Sequence, residues 1–182
     1  MRVRGQEVRD IARRFHVPFG LAVLASLLLG WAWALASPVG SSPDDDFHGA
    51  SIWCPPPIEA SGCAVQDDAD GDGSPDAVLV PEALRAATCY AGSPDQSAAC
   101  VLPLSDTALI PATHVDRGLY PGTYYKIMRV LVGQDVEWSV LMIRLLNVVI
   151  ATAVFFAAYL VLPRRARPMV PLAILSAVVP LG

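Results

Sequence analysis

The sequence predicts an α-helical polytopic membrane protein with a large disulfide-containing extracytoplasmic loop domain, mostly helix and irregular. Three observations predict it. Of the 182 residues 54% are hydrophobic and only 16% charged, which argues against a disordered tail or an ordinary water-soluble domain. Two long apolar stretches, residues 15–36 and 138–162, are separated by about 100 residues, and all four cysteines lie between them.

The net charge of -4 is segregated: residues 1–16 carry +3, residues 37–137 carry -11 and residues 138–182 carry +4. An acidic middle between divided basic flanks lacks the clustered cationic face that a polyanion requires, so nucleic acid is excluded as a partner. From Phe15 to Ala36 there is no charged residue, and a bilayer crossing needs roughly 20 apolar residues. Ala34-Leu35-Ala36 before Ser37 also fits a signal-peptide cleavage site. The length of the stretch and the Trp31/Trp33 pair, suited to an interfacial belt, favour an uncleaved anchor.

The second stretch, residues 138–162, lies between Asp135 and Glu137 on one side and Pro163-Arg164-Arg165-Ala166-Arg167 on the other. Arginine clusters thus flank both spans on one side of the membrane, and the positive-inside rule makes that side cytoplasmic. Residues 1–14 and 163–168 are then expected in the cytoplasm, residues 37–137 outside, and the protein in the plasma (inner) membrane. Residues 169–182 are apolar but too short to span. They read as the start of a third helix in an N-terminal piece of a longer multipass protein, with a re-entrant or interfacial tail as the alternative.

The outer loop holds eleven of the sixteen prolines, a composition that fits a compact, turn-rich domain better than a flexible linker. Cys54, Cys63, Cys89 and Cys100 are even in number and lie on the oxidising side, which favours disulfides over zinc. Three pairings are open, and the local ones, Cys54 with Cys63 and Cys89 with Cys100, are preferred. A zinc site would want closer Cys-x-x-Cys pairs. Lys126, the single lysine against twelve arginines, reflects base composition and not a site.

Three features of the loop could carry chemistry. Asp44-Asp45-Asp46 precede Phe47 and His48 just beyond the first span. Adjacent carboxylates repel, so at least one should have a raised pKa unless a cation or metal sits among them, and His48 could share a proton or ligate. The simpler reading is a helix cap, with Asp45 or Asp46 opening a short helix through Ile52. The second feature, residues 67–76, contains the Asp-x-Asp-x-Asp-Gly start of a calcium loop. Asp68, Asp70, Asp72 and Asp76 fall at positions 1, 3, 5 and 9, but Leu79 stands where the bidentate acid belongs. A solvated acidic turn is the alternative. Third, Gly118 to Tyr125 followed by KIMRVLVG reads as a turn into a short helix at the outer membrane surface. There Tyr120, Tyr124 and Tyr125 serve as aromatic anchors or line a groove for a lipid-linked or saccharide ligand. Within the second span, Arg144 and Asn147 share a helical face, and Arg144 is shallow enough to snorkel or to meet a phosphate or a loop carboxylate at the interface.

In this order, the pieces resemble the multipass membrane proteins grouped as domain of unknown function 2142, and through them the GT-C glycosyltransferases that use polyprenyl-phosphate sugars. The resemblance rests on the basic start and first span, on Pro43, Asp44, Asp45 and His48, on the Tyr-Pro-x-x-Tyr-Tyr stretch from Tyr120 to Tyr125, and on the run from Arg144 to Asn147. It covers most of the chain. It implies that Asp44 or Asp45 acts as base or metal ligand while the sugar leaves its lipid phosphate, with a glycan acceptor in cell-envelope assembly. Asp46, where relatives often have proline, and the cysteine-rich insertion depart from the family pattern. A divalent cation is expected, if at all, at the Asp-Gly run as calcium or at Asp44 to Asp46. The rival expectation is a noncatalytic membrane protein whose outer domain binds calcium, saccharide or a protein partner.

Overall fold

The computed structural model describes residues 2–41, 44–66, 76–90, 93, 95–101, 103–163, 166–167 and 169–170, with side chains from Phe19 onward except at 87 and 88. The chain divides into two compact units, one made of residues 1–36 and 144–182 and the other of residues 37–143.

The first unit is built on two helices. Helix α1 runs from Arg2 to Ala36 and therefore starts well before residue 15, so the basic residues assigned to a separate tail belong to the same helix. Helix α4 runs from Val136 to Val161, and its first two turns belong to the second unit. Both contain a stretch long and apolar enough to cross a membrane. Phe19 of α1 stacks on Tyr159 at 3.5 Å between ring centres and lies 5.7 Å from Phe156. Further along α1, a Cβ added to Gly30 would stand 2.6 Å from a methyl of Val148. The ascending order on α1 meets the descending order on α4, so the two helices are antiparallel, and Gly30 is where the absence of a side chain permits close approach. Beyond α4, Arg167 lies 5.2 Å over the Tyr159 ring and donates from Nε and Nη2 to the carbonyls of Leu162 and Leu160. A cation at that place satisfies carbonyls the helix leaves without partners.

The start of α4 is fixed locally. Asp135 Oδ1 accepts the Trp138 N–H at 2.8 Å, the bond expected of an N-cap carboxylate. Ser139 Oγ donates to the Asp135 carbonyl and accepts from the Gly133 N–H. The cap explains why the helix opens two residues before the apolar run suggested.

The second unit contains helix α2, Asp45–Trp53, helix α3, Thr123–Met128, and a three-stranded antiparallel sheet in the order β1-β2-β3. Strand β1 is Val65–Gln66, β2 is Ala77–Pro81 and β3 is Leu109–Ala112. A reading of this unit as helix and irregular chain missed the sheet. β2 is central, its Val78 facing Ala112 and its Val80 facing Ile110. Ala77, Val78 and Val80 are buried. Pro111 lies in the edge strand, where a missing N–H is tolerated. α2 packs against α3, β2 and a 3-10 segment, Glu82–Cys89. The disulfides join Cys54 to Cys63 and Cys89 to Cys100, the pairs close in sequence. Cys54 is fully buried and Cys89 exposed.

Candidate functional site

Helix α2 begins with Asp44 in the left-handed region, φ 62° and ψ 11°, a conformation that aspartate tolerates better than most residues. The Asp44 carbonyl accepts the His48 N–H at 2.9 Å and starts the helix. Asp45 opens α2 as its first residue, and the cap position before it is held by Asp44, whose side chain makes no capping bond. Asp45 and Asp46 occupy the first turn, where carboxylates meet the positive end of the helix dipole. Asp44, Asp46 and His48 are exposed and Asp45 half-buried.

Two bonds tie this turn to the segment 114–125. His48 Nδ1 lies 3.1 Å from the Tyr125 hydroxyl, and Asp46 Oδ2 lies 3.1 Å from His114 Nδ1. The Phe47 ring sits beside both imidazoles, 5.1 Å from His48 and 4.8 Å from His114, and 6.0 Å from Tyr120. Tyr120 is also 6.0 Å from His48, and Tyr124 is 5.6 Å from Tyr125. Phe47, His48, His114 and Tyr120 thus form an aromatic cluster with carboxylates at its rim.

The cluster has a buried support. Ser51, one turn along α2, donates to the Phe47 carbonyl at 2.6 Å and accepts the Asp116 N–H at 2.8 Å. Asp116 is 1% exposed. Its Oδ1 accepts the N–H groups of Gly118, Leu119 and Tyr120 at 3.1, 2.7 and 3.3 Å. A carboxylate collecting three backbone donors holds a loop that has no ladder of its own. Gly118, at φ 104°, supplies the turn this needs. His114 and Asp116 are the residues that sequence reasoning missed. The available signal was Asp116 followed two residues later by glycine, the pattern of an Asx turn.

Crowding of three carboxylates was expected to raise at least one pKa unless a cation or metal sits among them. At Asp46 the net direction is the reverse. Partial burial pushes its carboxyl up, but the hydrogen bond to His114, the Phe47 N–H and the imidazole charge together bring it below the ordinary value. Burial pushes the Tyr125 phenol up, the Asp116 carboxylate adds to the effect, and a hydrogen bond with Ser51 opposes it.

Of the residues singled out in the sequence, Asp44, Asp45, His48, Tyr120, Tyr124 and Tyr125 lie in one neighbourhood. Tyr125 is buried, whereas Tyr120 and Tyr124 are exposed. Arg144 and Asn147 are half-buried on α4, in the helical unit. Asp68, Asp70 and Asp72 lie outside the described residues. Asp76 precedes β2, and its carbonyl accepts from Arg117 Nη2 at 3.1 Å. The Asp-Gly run is flanked by strands β1 and β2 and not by the helices of an EF-hand. Among the described residues no group of three or more His, Cys, Asp or Glu is placed to hold a metal ion.

The arrangement offers hydrogen-bond acceptors and aromatic faces together on an open surface, a combination suited to hydroxyl-bearing ligands. A family model described as predicted membrane protein, domain of unknown function 2142, matches residues 27–182. No curated protein and no solved structure matches the chain.

Proposed function

The chain belongs to the domain of unknown function 2142 family of predicted membrane proteins, and from that premise we propose that it forms part of a multipass plasma-membrane glycosyltransferase of the GT-C kind. It transfers a sugar from a polyprenyl phosphate to a glycan acceptor in the cell envelope, with residues 37–137 on the outer side. The observation that carries this reading is the joining of the acidic start of α2 to the 114–125 segment through the His48–Tyr125 and Asp46–His114 bonds.

Asp45 is assigned as the base, with Asp44 beside it. As the acceptor oxygen bonds to the anomeric carbon its proton passes to the carboxylate, and the bond from that carbon to the phosphate oxygen breaks with the electron pair going to phosphate. His48, oriented by Tyr125, and the exposed ring of Tyr120 hold the sugar.

The test is transfer by the intact protein in membrane vesicles supplied with a labelled polyprenyl-phosphate sugar. Asp45→Asn lowers turnover by about 10²-fold or more while insertion and both disulfides are retained. Near-normal turnover in both Asp44→Asn and Asp45→Asn contradicts the enzyme reading.

One observation favours a calcium-binding outer domain as a second reading. Pairing of Gln66 with Ala77 holds the two ends of the Asp-Gly run together. With the position-12 acid absent, affinity would fall in the weak range of about 0.1–1 mM. Calorimetry on the intact protein with Asp70→Ala and Asp72→Ala as controls distinguishes it.

A further inference from the structure

Helix α3 and the 3-10 turn that continues it, Arg129–Leu131, have two apolar faces. Tyr125 and Met128, three residues apart, are 2% and 1% exposed and face the interior of their unit. Tyr124, Ile127 and Val130, also three apart, are 41%, 55% and 84% exposed, and Leu119 in the preceding turn is 82% exposed. A helix on the surface of a water-soluble domain places polar residues on its outer face. A run of large apolar side chains there marks a contact surface.

We propose that this outer face is seated in the lipid of the bilayer interface, and that the seat sets the His48–Tyr125 pair at the level of lipid headgroups. The occupant is identified by continuity. The chain belongs to a membrane protein family, and α4, long and apolar enough to span, opens at Val136. The five steps from Leu131 to Val136 reach at most about 17 Å, so the apolar face is tethered close to the start of that span. Trp138, 61% exposed in the first turn of α4, is a residue type concentrated at membrane interfaces, as are the tyrosines. Lys126, exposed on the same helix, suits the phosphate layer.

The consequence is a constraint on ligand class. Tyr124 faces outward while its neighbour Tyr125 reaches His48 at 3.1 Å, so one short helix carries both the lipid-facing residues and the support of the aromatic cluster. A ligand met at that depth is an amphiphile whose polar head reaches the cluster while its tail stays in the bilayer. The seat itself does not rest on the transfer reading.

The four native cysteines are paired, so a nitroxide reagent reaches only an introduced thiol. Tyr124→Cys, Ile127→Cys and Val130→Cys are labelled in the intact protein and reconstituted into phosphatidylethanolamine–phosphatidylglycerol vesicles, with Glu59→Cys as the exposed reference of the same unit. Labels at 127 and 130 are expected to collide more often with oxygen than with a water-soluble nickel chelate, and the label at 59 to show the reverse. Nickel access at 127 and 130 equal to that at 59 would place the face in water. Shielding from both reagents would place it under protein. Either result overturns the proposal, whether or not the protein transfers sugar.

Discussion

The two units of this chain are held together by different means. In the helical unit backbone groups pair within each helix except where Arg167 takes up carbonyls at the end of α4, and the two helices meet by shape: a glycine against a valine, one phenylalanine stacked on a tyrosine. In the unit of residues 37–143, short strands and turns leave backbone groups that side chains must satisfy, and covalent bridges close what the small core does not. Asp116 alone accepts three N–H groups. An apolar run that folds as helix therefore needs few specific partners, whereas an irregular domain depends on a handful of polar residues in fixed places.

Thiol reduction separates the two most strongly. Loss of the Cys54–Cys63 bond costs the outer unit about 2–4 kcal/mol, and loss of Cys89–Cys100 costs less, because Cys54 is buried and Cys89 exposed. Circular dichroism melts of the intact protein should show an early transition shifted down by reductant while the main helical signal persists. A simultaneous fall of both would break the comparison.

Asp116→Ala should cost about 2 kcal/mol by leaving the 118–120 amides without their acceptor. Hydrogen exchange would then rise at those three amides and not in α4. Asp116→Asn, which retains one carbonyl oxygen, should lose about half as much.

In the helical unit, Gly30→Ala should weaken pairing of α1 with α4 by about 1 kcal/mol, since the added methyl meets the stiff branched Val148. Val148→Ala in the same background should restore it, a coupling that a double-mutant cycle reads directly. Independent effects would mean that the glycine is not a packing residue.

The smallest expected effect is electrostatic. The Asp46 carboxyl titrates below its ordinary 3.8, so the stability it contributes is present above that value and lost as pH falls through the lowered one. Both partners are about 60% exposed, and solvent screening limits the contribution to a few tenths of a kcal/mol. Asp46→Asn should flatten the acid limb of the stability curve by that amount.

The long helices were legible because their apolar runs exceed what any other element of this size would bury. Helix α2 was legible from its acidic start, although the cap position is held by Asp44, whose carboxylate makes no capping bond. The sheet was not legible: β2 and β3 have five and four residues, each with a proline, and lie nearly thirty positions apart. His114 and Asp116 stand alone in sequence, and their roles exist only once α2 lies beside them. The bond between His48 and Tyr125, 77 residues apart, likewise closes only in the folded chain.

Recognition of a sugar phosphate at the open end of α2 is tested most directly by titrating the intact protein, in lipid nanodiscs, with a short-chain prenyl-phosphate sugar. Saturable binding to the native protein is expected, with affinity reduced at least about tenfold, or 1.4 kcal/mol, in His48→Ala and an unchanged melting profile. Equal affinity in the native protein and in His48→Ala and Asp45→Asn, or no saturable binding at millimolar ligand, would contradict it.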